Sequence, residues 1–367
     1  MKKLLVVALV LAALAAFALG VGLWLAFWPN TPDYEGYRGV RLPTRSFDAA
    51  ADSLEAAGLL ASRASFELFA TLTGWDRQVK PGHYRFEAGA SNWDLMDKIR
   101  KGLEDPILVT IPPGATVGRL GRVLRNQLGT DSAAVVQALR DSALAAELGT
   151  DTLHLFGHMR PNTFDIYWTM DAEEAVRRIH RWYERFWTAE REAKAEALGL
   201  TPEEVLTLAS IVEWEARVPD ERPRIAGVYL NRLLGRTAAG RMRLQADPTV
   251  QYALMLADGG PMRRLLLSDY RFPSPYNTYL VDGLPPGPIT NPSESSIDAV
   301  LDAEEHDYLY FVATTDGSGR HRFSRTLAEH NRAAAEWSRW LSEQYRLRRE
   351  RERAAQDSLA SSGATGQ

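Results

Sequence analysis

The sequence predicts an α+β protein that one N-terminal helix tethers to a membrane. Three observations support this class: an uncharged run of 25 residues near the start, a strand–turn–helix pattern that occurs three times before residue 130, and later helical segments joined by Pro/Gly-rich loops. The expected boundaries are 1–30 for the anchor, 31–104 for a small α+β module, 105–345 for a larger α+β domain, and 346–367 for a charged helix end with a disordered tail.

The uncharged run from Leu4 to Trp28 predicts a transmembrane helix. As a helix it measures about 37 Å, enough to cross a hydrocarbon core of about 30 Å. Trp24 and Trp28 near its far end suit an interfacial aromatic belt. A cleavage-like motif ends at Ala18, but the apolar run continues past it, so we expect an uncleaved anchor. Two leading lysines place the N-terminus in the cytoplasm and the rest in the periplasm or its equivalent.

Composition excludes several function classes. The chain has 367 residues, of which 45% are hydrophobic and 25% charged, as expected for a globular protein with a full core. The net charge of −4 offers no basic bias toward nucleic acid. Because cysteine is absent, disulfides, thiolate nucleophiles and cysteine-based metal sites are excluded.

The segment after the anchor predicts a compact module. Pro29–Gly39 is rich in Pro, Gly and Tyr and is expected to be a short linker. Ser46, Ser91 and Thr116 each follow a short strand and a turn and precede an amphipathic run, so each is an expected helix N-cap. The first two of these units, roughly Gly39–Gly102, resemble a LysM-like module, in which two helices pack on a two-stranded sheet and bind cell-wall glycan.

One helix carries the main candidate for catalysis. Thr201 and Pro202 predict its start, and an apolar segment follows as far as Glu213. Helical spacing places Glu213 on a face that is otherwise apolar, where a carboxyl can keep a proton near neutral pH, as a general acid must. The alternative is a structural ion pair, with Arg217 at i,i+4. Glu215 is expected to face roughly the opposite side and to lie outside the site.

Later segments predict rigid loops and a strand pair. Ser274–Tyr279 and Gly283–Pro292 contain too many Pro, Gly and Asn residues for regular structure, and binding residues concentrate in such loops. Tyr308–Ala313 is expected to pair with a strand after Asp316-Gly317. His154 and His158 have the spacing of helical metal ligands, but Gly157 and Pro161 break the helix pattern, so no metal site is expected.

Six ordered motifs resemble the MltG (YceG-like) family of endolytic murein transglycosylases. They are Leu208–Glu213, Tyr229–Arg232, Leu244–Val250, Ser274–Tyr279, Gly283–Gly287 and Tyr310–Ala313. The resemblance covers nearly the whole chain, because the anchor and the LysM-like segment also match the family layout.

The resemblance implies a lytic transglycosylase that needs one catalytic acid, at the position of Glu213, and no metal or cofactor. That acid is expected to protonate the β-1,4 bond between N-acetylmuramic acid and N-acetylglucosamine and then to help form a 1,6-anhydro end without water. Gln245, Tyr276, Asn277 and Thr278 are expected to bind sugar and acetamido groups. Asp247 either stabilises positive charge or only forms a turn with Pro248.

Some features leave the function open. Relatives usually have Glu, Asp and Tyr where this chain has Phe156, Asn162 and Phe164, which removes any second acid from that loop. A membrane-tethered, peptidoglycan-binding scaffold with an inactive domain is the main alternative, and a lysozyme-type hydrolase is a minor one. Expected partners are peptidoglycan strands, the lipid bilayer through residues 4–28, and peptidoglycan synthases. The expected location is the inner membrane, with a single pass.

Overall fold

The computed structural model describes residues 2–128 and 131–364, and the chain forms two compact units. The first unit consists of Met1–Thr110, Leu124–Asp131 and Thr163–Ala175, and the second of Ile111–Val123, Ser132–Asn162 and Val176–Gln367. The chain therefore passes between the units several times after residue 110. The predicted domain boundaries stay predictions.

The fold is α+β, as predicted. In chain order the helices are α1 (Lys2–Phe27), α2 (Phe47–Ala56), α3 (Arg63–Thr73), α4 (Asn92–Lys101), α5 (Val117–Leu128), α6 (Ser132–Ala138), α7 (Ser142–Glu147), α8 (Ala172–Phe186), α9 (Ala189–Leu198), α10 (Pro202–Glu215), α11 (Arg222–Leu234), α12 (Asp247–Asp258), α13 (Glu294–Leu301) and α14 (Leu327–Ala364). The strands are β1 (Tyr37–Leu42), β2 (Gly82–Glu87), β3 (Ile107–Ile111), β4 (Asn162–Ile166), β5 (Tyr310–Ala313) and β6 (His321–Ser324).

Helix α1 has the length and composition of a membrane span. The most apolar 18-residue window of its segment Lys3–Phe27 has a mean hydropathy of 2.9. The side chains of the helix are exposed except at the C-terminal end, where Leu25 and Ala26 are buried. A bilayer would cover such a surface, because apolar side chains in water are unfavourable. Trp24 and Trp28 stack at that end with ring centroids 6.4 Å apart, where the aromatic belt was predicted.

The predicted linker is packed against the module at its start. Asn30 and Thr31 are buried. The Asn30 side-chain amide donates to Oδ1 of Asn92 at 2.6 Å and to the carbonyl of Ser62 at 3.0 Å, and Asn92 in turn donates to the carbonyl of Leu25 at 2.8 Å. The predicted linker is therefore anchored at its first residues, because buried amides tie the end of α1 to α4.

The first unit contains the strand–turn–helix elements that the sequence predicted. Strands β1 and β2 pair antiparallel from Tyr37↔Glu87 to Leu42↔Gly82, and β3 pairs with β4. Helix α4 begins with a capping box in which Ser91 and Asp94 satisfy each other's backbone N–H groups. Three helices, α2, α3 and α4, surround the β1–β2 sheet, where the LysM-like pattern has two. The LysM-like assignment stays a prediction.

Helix α10 is the central element of the second unit. Its start is as predicted: the Thr201 hydroxyl accepts from the backbone N–H of Glu204, and Pro202 occupies the first helical position. Every residue from Val205 to Val212 is buried, because α9, α11, α12 and α13 pack around the helix. Burying a Leu, Ile or Val side chain contributes about 1.5–3 kcal/mol, so this helix organises the core.

The C-terminal part forms the predicted hairpin and a long helix. Strands β5 and β6 pair antiparallel from Tyr310↔Ser324 to Ala313↔His321. Helix α14 then continues to Ala364, where the sequence predicted an irregular tail from Ala354. The segment has no Gly or Pro before Gly363 and includes several alanines, which favour helix. Thr365–Gln367 lie outside the described residues.

The full chain is expected to remain in the membrane fraction after alkaline carbonate extraction, because α1 presents a continuous apolar surface to its surroundings. Fractionation and N-terminal sequencing measure this. A soluble, shortened chain beginning near Leu19 would contradict it.

Candidate active site

A cavity of about 500 Å³ opens beside the C-terminal end of α10. Helices α10, α11, α12 and α14, strand β5 and the loop before residue 280 contribute to its wall. Its polar lining includes Glu215, Tyr229, Gln245, Asp247, Tyr270 and Tyr279. The cavity therefore collects two carboxyl groups, Glu215 and Asp247, together with side-chain amides and phenols around one volume.

Glu215 is the carboxylate at the base of this lining. Its Oε1 accepts a hydrogen bond of 2.7 Å from the hydroxyl of Tyr229, whose side chain is buried. Burial is the main cause that raises the pKa of Glu215 to about 7. The hydrogen bond from Tyr229 lowers this pKa, the negative charge of Asp247 raises it, and the positive charge of Arg232 lowers it. A carboxyl with this pKa exchanges a proton near neutral pH, which suits a general acid.

The position of Glu215 in its helix is unfavourable for a carboxylate. It is the last residue of α10, and no basic residue occupies the last turn. The C-terminal end of a helix carries partial negative charge, so an acid there is destabilised. Glu213 lies in the same last turn, so the helix end alone does not distinguish the two acids. The sequence interpretation expected Glu215 outside the site, whereas the structure places it in the wall of this cavity.

Asp247 joins the cavity from the start of α12. Its Oδ1 accepts from the hydroxyl of Tyr279 at 2.7 Å and its Oδ2 from the hydroxyl of Tyr270 at 3.2 Å. Burial and then the charge of Asp247 raise the pKa of Tyr270 to about 12, so this phenol keeps its proton and donates. Two tyrosines thus hold Asp247 in a fixed orientation. These contacts are additional to the turn with Pro248 that was the alternative role of Asp247.

Gln245 lies on a strained turn at the cavity. Its φ is 50°, and among the described residues it is the only non-glycine residue with positive φ. Its backbone N–H donates to the carbonyl of Thr278 at 3.1 Å, while its side chain is exposed in the cavity wall. Strained backbone of this kind is concentrated at functional sites and persists where neighbouring contacts determine it.

Asn277 and Thr278 support the cavity from behind. Both are fully buried. The Asn277 amide donates to the carbonyls of Tyr270 at 3.1 Å and Phe272 at 2.9 Å, and its Oδ1 accepts from the N–H of Tyr279 at 3.0 Å. The Thr278 hydroxyl accepts from the N–H of Ala246 at 3.0 Å. These side chains hold the loops that carry the lining residues, so direct sugar binding by them is not supported.

Tyr276 lies in a different place from the other predicted binding residues. It is nearly buried and packs edge-on against Tyr252, with ring centroids 4.9 Å apart. It lines a second cavity together with Phe156. Of the five residues predicted to bind substrate, the structure therefore brings Gln245 and Asp247 together with Glu215.

Glu213 is engaged elsewhere and does not line the cavity. Its side chain is 7% exposed; Oε1 accepts from Nη2 of Arg222 at 3.1 Å, and Oε2 accepts from the N–H of Ser293 at 3.0 Å and the hydroxyl of Ser296 at 2.7 Å. The expectation that apolar side chains surround Glu213 is wrong, because its partners are an arginine and two serines. These contacts match the alternative given for Glu213, a structural ion pair, but the partner is Arg222 instead of Arg217. The carboxylate also lies at the N-terminal end of α13, where negative charge is favourable.

The predicted histidine pair makes two separate contacts. Nδ1 of His154 lies 2.9 Å from Oδ1 of Asp151, and Nε2 of His158 lies 3.1 Å from both carboxylate oxygens of Glu203. Across residues 2–128 and 131–364, no group of three metal-ligating side chains comes together.

The three residues that depart from the family pattern lie elsewhere. Phe156 and Phe164 are buried, and Asn162 begins β4. None of these three lines the Glu215 cavity.

Three comparisons with known proteins point to one family. A sequence model of the YceG-like family matches residues 42–336. An endolytic murein transglycosylase from Bacillus subtilis is 28% identical over 326 residues, which cover 83% of this chain and 86% of the relative. One from Streptococcus pneumoniae is 27% identical over 77% of this chain and 55% of its own length. A crystal structure of a yceG-like protein from Listeria monocytogenes superposes with a TM-score of 0.56 at 27% identity, covering 82% of this chain and 99% of that one.

Asn277→Ala is expected to destabilise the protein by about 2–3 kcal/mol, because it leaves buried backbone groups without their partner. Gln245→Ala is the matched variant in the same loop system. It should change the free energy of unfolding by no more than about 0.5 kcal/mol, since its side chain is exposed. Thermal denaturation of both proteins measures this, and equal melting temperatures would refute the supporting role of Asn277.

Proposed function

Because the match to its sequence model spans most of the chain, the protein belongs to the YceG-like family, and we propose that it is a lytic transglycosylase that cleaves peptidoglycan glycan strands with Glu215 as its acid. The observation that carries this proposal is the cavity in which Glu215 meets Gln245 and Asp247. The relatives that are named endolytic murein transglycosylases supply the substrate class.

The proposed reaction breaks the β-1,4 bond between N-acetylmuramic acid and N-acetylglucosamine. Protonated Glu215 donates its proton to the bridging oxygen, the bond from that oxygen to muramic C1 breaks, and positive charge develops at C1 and the ring oxygen. The Glu215 carboxylate then removes the proton from the muramic C6 hydroxyl, and that oxygen bonds to C1. The products are a free 4-hydroxyl and a 1,6-anhydro end, and Glu215 regains its proton. Water is not consumed.

The other lining groups have roles that follow from their contacts. Asp247, oriented by Tyr270 and Tyr279, supplies negative charge toward the developing oxocarbenium ion. Gln245 presents an amide that can donate to and accept from an acetamido group. Tyr229 fixes the orientation of the Glu215 carboxyl. Asn277 and Thr278 act as positioning residues.

We assign the catalytic acid to Glu215 instead of Glu213 because the two carboxyl groups have different contacts. The Glu213 carboxylate is ion-paired with Arg222 and accepts hydrogen bonds from two serines, so its oxygens are occupied. The Glu215 carboxyl has one protein partner, Tyr229, and faces a cavity. A proton donor must be reachable by substrate, and Glu215 meets this requirement.

A hydrolase is the second candidate, and the observation that favours it is Asp247. Two carboxyl groups in one cavity are the usual equipment of glycosidases, in which one acts as acid and the other as nucleophile or as base for water. Products with reducing ends would identify this reaction. An inactive scaffold would form neither product while still binding glycan.

The proposal includes a location. We place the N-terminus in the cytoplasm and the second unit on the outer side of the inner membrane, since the two lysines at the start of α1 precede its uncharged run. Such an anchor would hold the enzyme where new strands are made, and association with peptidoglycan synthases is the corresponding proposal for partners.

Glu215→Gln is expected to abolish anhydro-ended products, with a loss of at least about 100-fold, because it removes the transferable proton. Glu213→Gln is the matched control two residues away. It should keep most turnover per folded molecule but melt at a lower temperature, because Arg222 loses its buried counter-charge. Mass spectrometry of digests of purified peptidoglycan measures the products. Full activity in Glu215→Gln, or selective loss in a well-folded Glu213→Gln, would overturn the assignment.

The melting temperature of Glu215→Gln shows whether this variant is folded. The pKa of Glu215 determines whether the variant melts above or below the wild type. The folded-state pKa of about 7 exceeds the ordinary value of 4.5, so this carboxyl costs no stability below pH 4.5 and destabilises the protein progressively as pH rises to about 7. The Gln variant lacks this penalty. At pH 8 it should therefore melt at or above the wild-type temperature.

A further inference from the structure

A second and larger cavity, of about 1040 Å³, lies within the second unit and has no role in the reaction described above. Its floor is aromatic: Trp214 from α10, Tyr252 from α12 and Tyr276 from the following loop. Tyr252 and Tyr276 pack edge-on against each other, which fixes both rings. The volume is at the upper end of the range for small-molecule sites.

Three arginines contribute to the lining of this cavity. Arg119 and Arg122 belong to α5, and Arg140 follows α6. All three are exposed, and the described part of the chain offers none of them an ion pair or a side-chain hydrogen bond. Some arginines of the same unit are paired, such as Arg160 with Glu294, and others are exposed without a partner; what distinguishes these three is that they line one cavity. Three free guanidinium groups at one cavity are suited to carboxylate groups of a ligand.

The lining of the cavity also favours an anionic ligand. Aspartate and glutamate are absent from the lining residues in the described chain. Burial raises the pKa of Tyr252, and the positive charge of Arg140 opposes this, which places that guanidinium close to the aromatic floor. Met255 and Leu256 add apolar surface beside the rings. A ligand that fits both features carries carboxylates on a backbone with small apolar side chains, which describes an acidic peptide.

The second cavity adjoins the same elements as the Glu215 cavity. Trp214 directly precedes Glu215 at the end of α10. Helix α12 contributes Asp247 to the first cavity and Tyr252 to the second, and the loop after it contributes Tyr270 to the first and Tyr276 to the second. The two cavities are therefore built on α10, α12 and the loop that follows α12, which is the basis for assigning them to two parts of one branched substrate.

We propose that the arginine-lined cavity binds the acidic peptide stem that is attached to the muramic acid of the substrate, and that this contact selects peptide-bearing strands. The inference rests on the proposed function for its substrate class. Arg119, Arg122 and Arg140 bind the carboxylates of the stem, and Trp214, Tyr252 and Tyr276 bind its apolar side chains and backbone. Peptide-free glycan makes none of these contacts.

The test compares the full-length protein in detergent with the triple variant Arg119→Ala, Arg122→Ala, Arg140→Ala. Binding is measured by calorimetry to three probes: the free acidic stem peptide, short peptide-bearing glycan, and the same glycan with its peptides removed by an amidase. The triple variant is expected to bind the first two at least about tenfold more weakly and the third unchanged. The matched control is Arg181→Ala, Arg236→Ala, Arg241→Ala, which removes the same charge from other exposed positions and should bind like wild type.

Other results overturn the inference. Equal affinity of wild type for peptide-bearing and peptide-free glycan, or unchanged peptide binding in the triple variant, would refute it. Loss of binding to vesicles containing phosphatidylglycerol, with peptide binding intact, would assign the arginines to a lipid surface instead. Because stem-peptide binding requires no bond cleavage, this experiment is separate from the product analysis of Glu215→Gln. Either proposal can therefore fail while the other stands.

Discussion

The burial of α10 from Val205 to Val212 is the constraint on which the second unit depends. Because helices pack around it, its last three residues emerge in different directions into different surroundings. Glu213 meets Arg222 and the start of α13, Trp214 forms part of the arginine-lined cavity, and Glu215 enters the cavity with Asp247. A rotation of about 100° per residue separates the ion-paired Glu213, the aromatic Trp214 and Glu215, the proposed proton donor.

A second layer of polar contacts holds the loops around Glu215. The buried side chains of Asn277 and Thr278 bind backbone groups of the chain segments that carry Tyr270, Tyr279 and Gln245. Fully buried amides and hydroxyls of this kind are stable only when their hydrogen bonds are satisfied, so they specify one loop arrangement. The positive φ of Gln245 is tolerated within this arrangement. The cavity is thereby organised before substrate arrives, which suits stabilisation of developing charge.

Local signals in the sequence predicted much of the fold, and burial explains where they failed. The capping box at Ser91, the helix start at Thr201 and the hairpin around Asp316 depend on a few neighbouring residues, so the sequence predicts them directly. The choice of Glu213 assumed that α10 has one buried face. A helix buried on every side gives no such stripe, so spacing could not distinguish Glu213 from Glu215. Asn277 was misjudged because Pro/Gly loops contain buried supporting side chains as well as exposed ones.

The most direct measurement of the central claim is the protonation of Glu215 in the folded protein. The side-chain carboxyl carbons of glutamate, labelled with carbon-13, can be titrated by NMR, and the resonance missing from Glu215→Gln assigns this group. The account predicts a titration midpoint near pH 7, because burial and the charge of Asp247 favour the neutral acid. A midpoint near the ordinary value of 4.5 would contradict the account, because Glu215 would then be ionised at neutral pH and unable to serve as the proton donor.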